Sequence, residues 1–161
     1  VYLVITPAEE LFRKNFTVAD ITGALVADRS GWSITGGDYH SGSWPEVIDD
    51  STDTFMRPWG SPIMFTITFD KEYEMTGLRI TARTDNASYQ NYQPNAITIE
   101  YSLNGEDYTE LGTAASADGS LLKNVPSSYV ALYGSQKMKY IRITASYGSN
   151  MGVGDFNIYA K

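Results

Sequence analysis

From Ile97 onward the chain alternates. Ile97, Ile99, Tyr101 and Leu103 are interleaved with Thr98, Glu100 and Ser102, and Tyr108-Thr109-Glu110-Leu111 follows Asn104-Gly105. Lys139-Tyr140-Ile141-Arg142-Ile143-Thr144 and Gly154-Asp155-Phe156-Asn157-Ile158-Tyr159 repeat the pattern near the end. A period of two belongs to strands with one face in a core. Upstream, Phe65, Ile67 and Phe69 alternate with Met64, Thr66 and Thr68. Leu78, Ile80 and Ala82 form a second such strand, with Arg79, Thr81 and Arg83 on its opposite face. Asn104-Gly105 is a hairpin signal. The clear pattern begins at Trp32-Ser33-Ile34, with Trp32 read as core. Gly36 to Pro45, Thr84 to Asn95 and Ala114 to Asn124 read as loops, and Val47-Ile48 leads into a polar, acid-rich turn. Before these, Val1 to Ile5 has strand character and Ala8 to Asn15 has the pattern of a short helical turn. Residues 1–27 are expected to be a linker or the end of a preceding domain, and residues 28–161 the folded unit. Short strands with almost no helix indicate an all-β antiparallel sandwich or barrel.

Composition removes several classes of function. The 161 residues suffice for one domain with a full core and contain no cysteine, so neither disulfides nor a thiolate metal site is available. A net charge of −7 with scattered basic residues repels phosphate backbones, so nucleic acid is not an expected partner. The same balance opposes insertion into anionic membranes, although Met56 and Trp59 have the character of apolar spikes. No run approaches the roughly 20 apolar residues of a bilayer span. His40 is the only histidine, and no nucleophile elbow, GxxxxGK, HExxH or CxxC is present. The acids sit mostly in turns rather than as an evident hydrolytic pair. The reading is a protein that is not an enzyme.

Aromatic residues change the picture more. Many of the 12 Tyr, 3 Trp and 6 Phe must pack in strands, yet several lie in Gly-, Ser- and Asn-rich loops. Tyr39, Trp44, Trp59, Tyr89 and Tyr92 are candidates to stack on the C–H faces of a sugar. His40, Arg57, Arg83, Asp85, Asn91 and Asn150 are candidates to bond its hydroxyls, since such a site needs only a few placed polar groups in a shallow concavity. The turn Asp49-Asp50-Ser51-Thr52-Asp53-Thr54 offers enough oxygens for calcium, which takes six to eight ligands at about 2.3–2.6 Å. Asp, Ser and Thr are equally good turn formers through bonds to their own backbone.

Taken in order, Trp32-Ser33-Ile34, Ile48 to Phe55, Phe65 to Phe69, Leu78 to Asp85, Tyr101 to Gly105, Tyr140 to Ile143 and Asp155 to Tyr159 resemble the discoidin, or coagulation factor V/VIII C-type, domain. Within it they are similar to the bacterial carbohydrate-binding modules of family 32. The resemblance covers roughly residues 28 to 161 and implies a galactose-binding-like jelly-roll sandwich of about eight strands, with binding loops at one end. It implies a structural calcium held by Asp49, Asp50 and Thr54 with Asp155 before the last strand. It gives Arg83 the role of a sugar-binding arginine and Tyr147 that of a loop aromatic. Where galactose-binding members carry a histidine after the acidic turn, this chain has Met56-Arg57. The implied function is a non-catalytic carbohydrate-binding module of a bacterial cell-surface or secreted protein, extracytoplasmic, with glycan or polysaccharide as ligand and other domains of the same protein as neighbours. The alternative is a structural or protein-contact domain with no glycan site. Asn15-Phe16-Thr17 and Asn86-Ala87-Ser88 fit a glycosylation sequon that has no meaning in a bacterial protein.

Overall fold

The structure, a computed structural model, describes residues 12–15, 21–83, 94, 96–115, 127–147 and 151–161. Its strands are β1 (Phe12–Asn15), β2 (Ala24–Leu25), β3 (Ser33–Gly36), β4 (Tyr39–Gly42), β5 (Met56–Pro58), β6 (Ile63–Ala82), β7 (Ala96–Ser102), β8 (Thr109–Ala115), β9 (Ser127–Ser146) and β10 (Val153–Ala160). A short 3-10 turn, Trp44–Val47, joins β4 to the acidic turn.

All pairing is antiparallel and the architecture is a β-sandwich, whose two layers share their longest strands. The first part of β6 pairs with the last part of β9 from Ile63↔Ala145 to Thr68↔Tyr140. The second part of β6 pairs with the first part of β9 from Tyr73↔Met138 to Thr81↔Ser127. One layer is therefore β3, β6, β9, β7 and β8. The other is β1, β9, β6, β10, β5 and β4, with β2 on the end of β10. The two strands expected over Phe65–Phe69 and Leu78–Ala82 are in fact one. Asp70, Lys71 and Glu72 interrupt both the apolar alternation and the pairing with β9, yet the strand continues through them, and register shifts after Thr68 and Met75 bend it from one layer into the other.

Between the layers lie Phe65, Ile67, Phe69, Leu78 and Ile80 of β6, Ile97 and Ile99 of β7, Ile141 and Ile143 of β9, and Phe156 and Ile158 of β10. These are the apolar positions of the alternation. Trp32 closes one end against Phe69, with centroids 4.6 Å apart, and its Nε1–H donates to Asp70 Oδ1 at 3.1 Å. The β7–β8 hairpin turns through Gly105, and Asn104 Oδ1 accepts the N–H groups of Glu106 and Asp107, both at 2.9 Å.

The N-terminal portion departs from expectation. Residues 12–15, read as part of a helical turn, pair with β9, because an unpaired neighbouring edge outweighs a weak helical preference. Residues 24–25, read as linker, pair with β10. The segment from Ile21 to Arg29 runs along the edge of β10, and its side chains and carbonyls meet Asp155, Asn157 and Tyr159 on the face that the alternation would assign to solvent. Ile21 packs with Ala131 and Tyr159, and Asn157 Nδ2 donates to the Val26 carbonyl at 3.0 Å. The expected strand at Val1–Ile5 lies outside the described residues.

Candidate functional site

Among the described residues, five of the candidate side chains, Tyr39, His40, Trp44, Arg57 and Trp59, sit on an excursion between β3 and β6 that is absent from the expected strands and whose polar stretch Gly36–Pro45 reads as loop. β4 and β5 pair there, Tyr39 opposite Pro58 and Gly42 opposite Met56. Gly42 has φ +77°, and a Cβ on it would lie 1.8 Å from the Phe55 carbonyl oxygen, so only glycine admits this approach. Along β5, Met56 and Pro58 are buried while Phe55 and Arg57 are half-buried and Trp59 is exposed. The strand period thus sets Phe55, Arg57 and Trp59 on one outward side.

Trp59 is 65% exposed and Tyr39 49%. The indole is nonetheless held in place. The imidazole of His40 stacks on it with centroids 5.3 Å apart and planes 14° from parallel, and the backbone N–H of Trp59 donates to the Asp38 carbonyl at 2.9 Å. Tyr147 fixes the turn that follows, its hydroxyl donating to the Gly60 carbonyl and its N–H to Ser61 Oγ at 3.2 Å. Burial pushes the Tyr147 phenol above the usual tyrosine range, partly opposed by the charge of Arg57, so it remains a neutral donor. Tyr147 is therefore a brace for the Trp59 turn. A groove of about 510 Å³ runs beside Trp59, lined by Asp38, Pro62 and the exposed Met64 among others.

At the other end of the same side, the Arg83 guanidinium lies 3.6 Å from the centroid of the Phe55 ring. Its stem passes so close to Gly152 that a Cβ there would meet Cδ at 2.6 Å, and the residue is 9% exposed. Phe55 was not among the residues singled out from sequence. The signal was the alternation Phe55-Met56-Arg57-Pro58-Trp59, too short and too proline-bound to read as a strand. Trp44, expected in a loop and facing ligand, is instead core. It is 6% exposed, packs on Phe65 at 5.2 Å, and donates Nε1–H to the Gly37 carbonyl at 2.7 Å. The structure thus gathers Tyr39, His40, Arg57, Trp59, Tyr147 and Arg83 into one region. Asp85, Tyr89, Asn91, Tyr92 and Asn150 lie outside the described residues.

The acidic turn is built from bonds within itself. Asp49 Oδ1 accepts the Ser51 N–H at 2.9 Å and Oδ2 the Thr54 hydroxyl at 2.7 Å, while Ser51 Oγ accepts the Asp53 N–H at 3.1 Å. Asp50 adopts φ +63° and pairs with Arg29, and buried Asp155 pairs with both Arg29 and Arg79. Among the described residues, no three carboxylate or imidazole side chains converge on a point that would hold a metal. The carboxylates expected to bind calcium are engaged by hydroxyl, amide and guanidinium donors, and so arranged they do not fit a divalent ion.

A family model for the F5/8 type C domain matches residues 28–156. No curated protein matches the chain. Among solved structures, the family 32 carbohydrate-binding module of Clostridium perfringens NanJ, determined with galactose, is 16% identical with a TM-score of 0.70, covering 84% of this chain and 98% of that one. A further Clostridium perfringens family 32 module, determined with GalNAc-β-1,3-galactose, is 14% identical with a TM-score of 0.68, covering 82% and 97%. An F5/8 type C domain of Bacteroides fragilis is 20% identical with a TM-score of 0.70, covering 86% and 97%.

Proposed function

Since this chain belongs to the F5/8 type C domain family, whose members are non-catalytic binding modules, we propose that it is a carbohydrate-binding module and that Trp59 is the centre of its site. It is not an enzyme. The observation that carries the proposal is an exposed indole held rigid by a stacked imidazole, a backbone hydrogen bond and the Tyr147-braced turn. The core gains nothing from a tryptophan so placed, and a pre-ordered ring loses little entropy when a ligand stacks on it. The flat apolar side of a pyranose fits such a ring. Arg57, on the same side, donates to hydroxyls, and Arg83 on Phe55 offers a fixed guanidinium at the inner end. The groove beside Trp59 gives room for a second sugar of a longer chain. The likeness to modules determined with galactose and with a GalNAc-containing disaccharide makes galactose-type sugars the first ligands to try. An extracytoplasmic setting, where such glycans are met, belongs to the same reading. No helix among the described residues is long and apolar enough to cross a membrane.

The test is a glycan array followed by titration calorimetry. Selective binding with a Kd of about 0.1–1 mM, some −4 to −5.5 kcal/mol, is the expected result for so open a site. Trp59→Ala should weaken it by about tenfold or more, as loss of a central aromatic anchor does. Arg83→Met, which keeps the stem beside Gly152, should weaken it with little change in fold. Silence of the folded wild type across a broad array would return the domain to a structural or protein-contact role.

A further inference from the structure

The acidic turn and the last strand are joined by a side chain that neither the alternation nor the resemblance singled out. Arg29 ends the segment running along the edge of β10, and its side chain is 1% exposed. Nη2 donates to Asp50 Oδ1 at 2.5 Å, reaching the turn. Nη1 donates to Asp155 Oδ1 at 2.7 Å and to the Phe156 carbonyl, reaching the strand. The other Asp155 oxygen accepts from Arg79 Nη2 at 3.1 Å, and the Asp155 side chain is 2% exposed. Asp50 and Asp155 carry two negative charges, and Arg29 and Arg79 supply two positive ones.

A divalent cation at such a turn would gather the carboxylates of loop and strand and the carbonyls between them. Here a guanidinium does this, with its planar fork spanning two carboxylates and a carbonyl. The charges of Asp50 and Asp155 are already matched by Arg29 and Arg79, so a divalent ion between turn and strand would face two guanidinium groups with both of these carboxylates engaged. We infer that Arg29 is a resident cation that replaces calcium at this place, tying the acidic turn to the final strand and making the domain independent of metal.

The test is thermal unfolding of the wild-type chain in chelator and in millimolar calcium, with calorimetric titration of calcium alone. The Tm is expected to be the same in both, with no saturable heat. A bound calcium would raise Tm by several degrees, so one saturable equivalent that does so, and is lost in Asp155→Asn, overturns the inference. Arg29→Met leaves Asp50 and Asp155 short of a partner and should lower Tm by roughly 10 °C. Arg29→Lys keeps the charge but not the fork and should fall between the two. An unchanged Tm in either variant overturns the inference as well. Should Arg29→Met fail to fold, the lysine variant and the wild-type calcium titration decide the matter.

Discussion

Two tryptophans of the same excursion meet opposite fates. Trp44 and Trp59 each adjoin a proline in a glycine- and serine-rich stretch, and nothing local distinguishes them. The difference is tertiary, since the 3-10 turn swings Trp44 onto Phe65 while the strand period of β5 turns Trp59 outward. Urea unfolding should separate them. Trp44→Ala should cost about 3–5 kcal/mol as a buried aromatic truncation, and Trp59→Ala should stay within about 0.5 kcal/mol as a surface change. A large loss at Trp59 with little at Trp44 would reverse the assignment. Arg29 was hidden for a similar reason. An arginine between Asp28 and Ser30 reads as solvated charge, and its partners lie far along the chain at Asp50 and Asp155. The cost of its burial is visible too, because its Nε and that of Arg79 have no acceptor among the described residues.

Among the elements, the core strands were legible and the site strands were not. Phe65 to Phe69, Ile97 to Tyr101 and Lys139 to Thr144 alternate because each has one face in the core, and all three are strands, while Leu103, expected to continue the second, lies beyond β7 and is exposed. β4 and β5 have three or four residues each, contain Gly and Pro, and depend on each other and on a single contact with β10 at Val153↔Met56. Such a ribbon carries too little apolar periodicity to announce itself. It is also where a small change should do most harm to binding. Gly42→Ala places a methyl against the Phe55 carbonyl at a left-handed φ. It should cost about 2 kcal/mol or more in unfolding free energy and should weaken sugar binding through displacement of β5. Wild-type affinity and stability in this variant would show that the ribbon yields without consequence. The acid-rich turn before β5 was legible as a turn, whereas its binding partner, a guanidinium from before β3, was not.

For the molecule as a whole, the acid response has an identifiable contribution on the layer opposite the site. Glu100 of β7 accepts both Nε–H and Nη2–H of Arg142 of β9 at 2.7 Å, and Arg142 also lies 3.9 Å from the Tyr108 ring centroid. The hydrogen bonds from Arg142 hold the Glu100 carboxyl below its ordinary 4.5. A depressed carboxylate contributes stability that is fully present above that ordinary value and is lost as pH falls below it through the folded one. Thermal unfolding at neutral pH and at ~pH 3 should therefore show a smaller acid-induced fall for Arg142→Met than for wild type. An equal fall in both would remove the pair from the acid response. The last feature is the sharing of β6 and β9 by both layers. Neither layer can detach and leave the other whole, because each would take half of the same two backbones with it. The sandwich should consequently unfold as one cooperative unit, and hydrogen exchange should find its innermost amides opening only with the entire domain. Most of its pairings join distant parts of the chain, so it should also reach the native state slowly for its size.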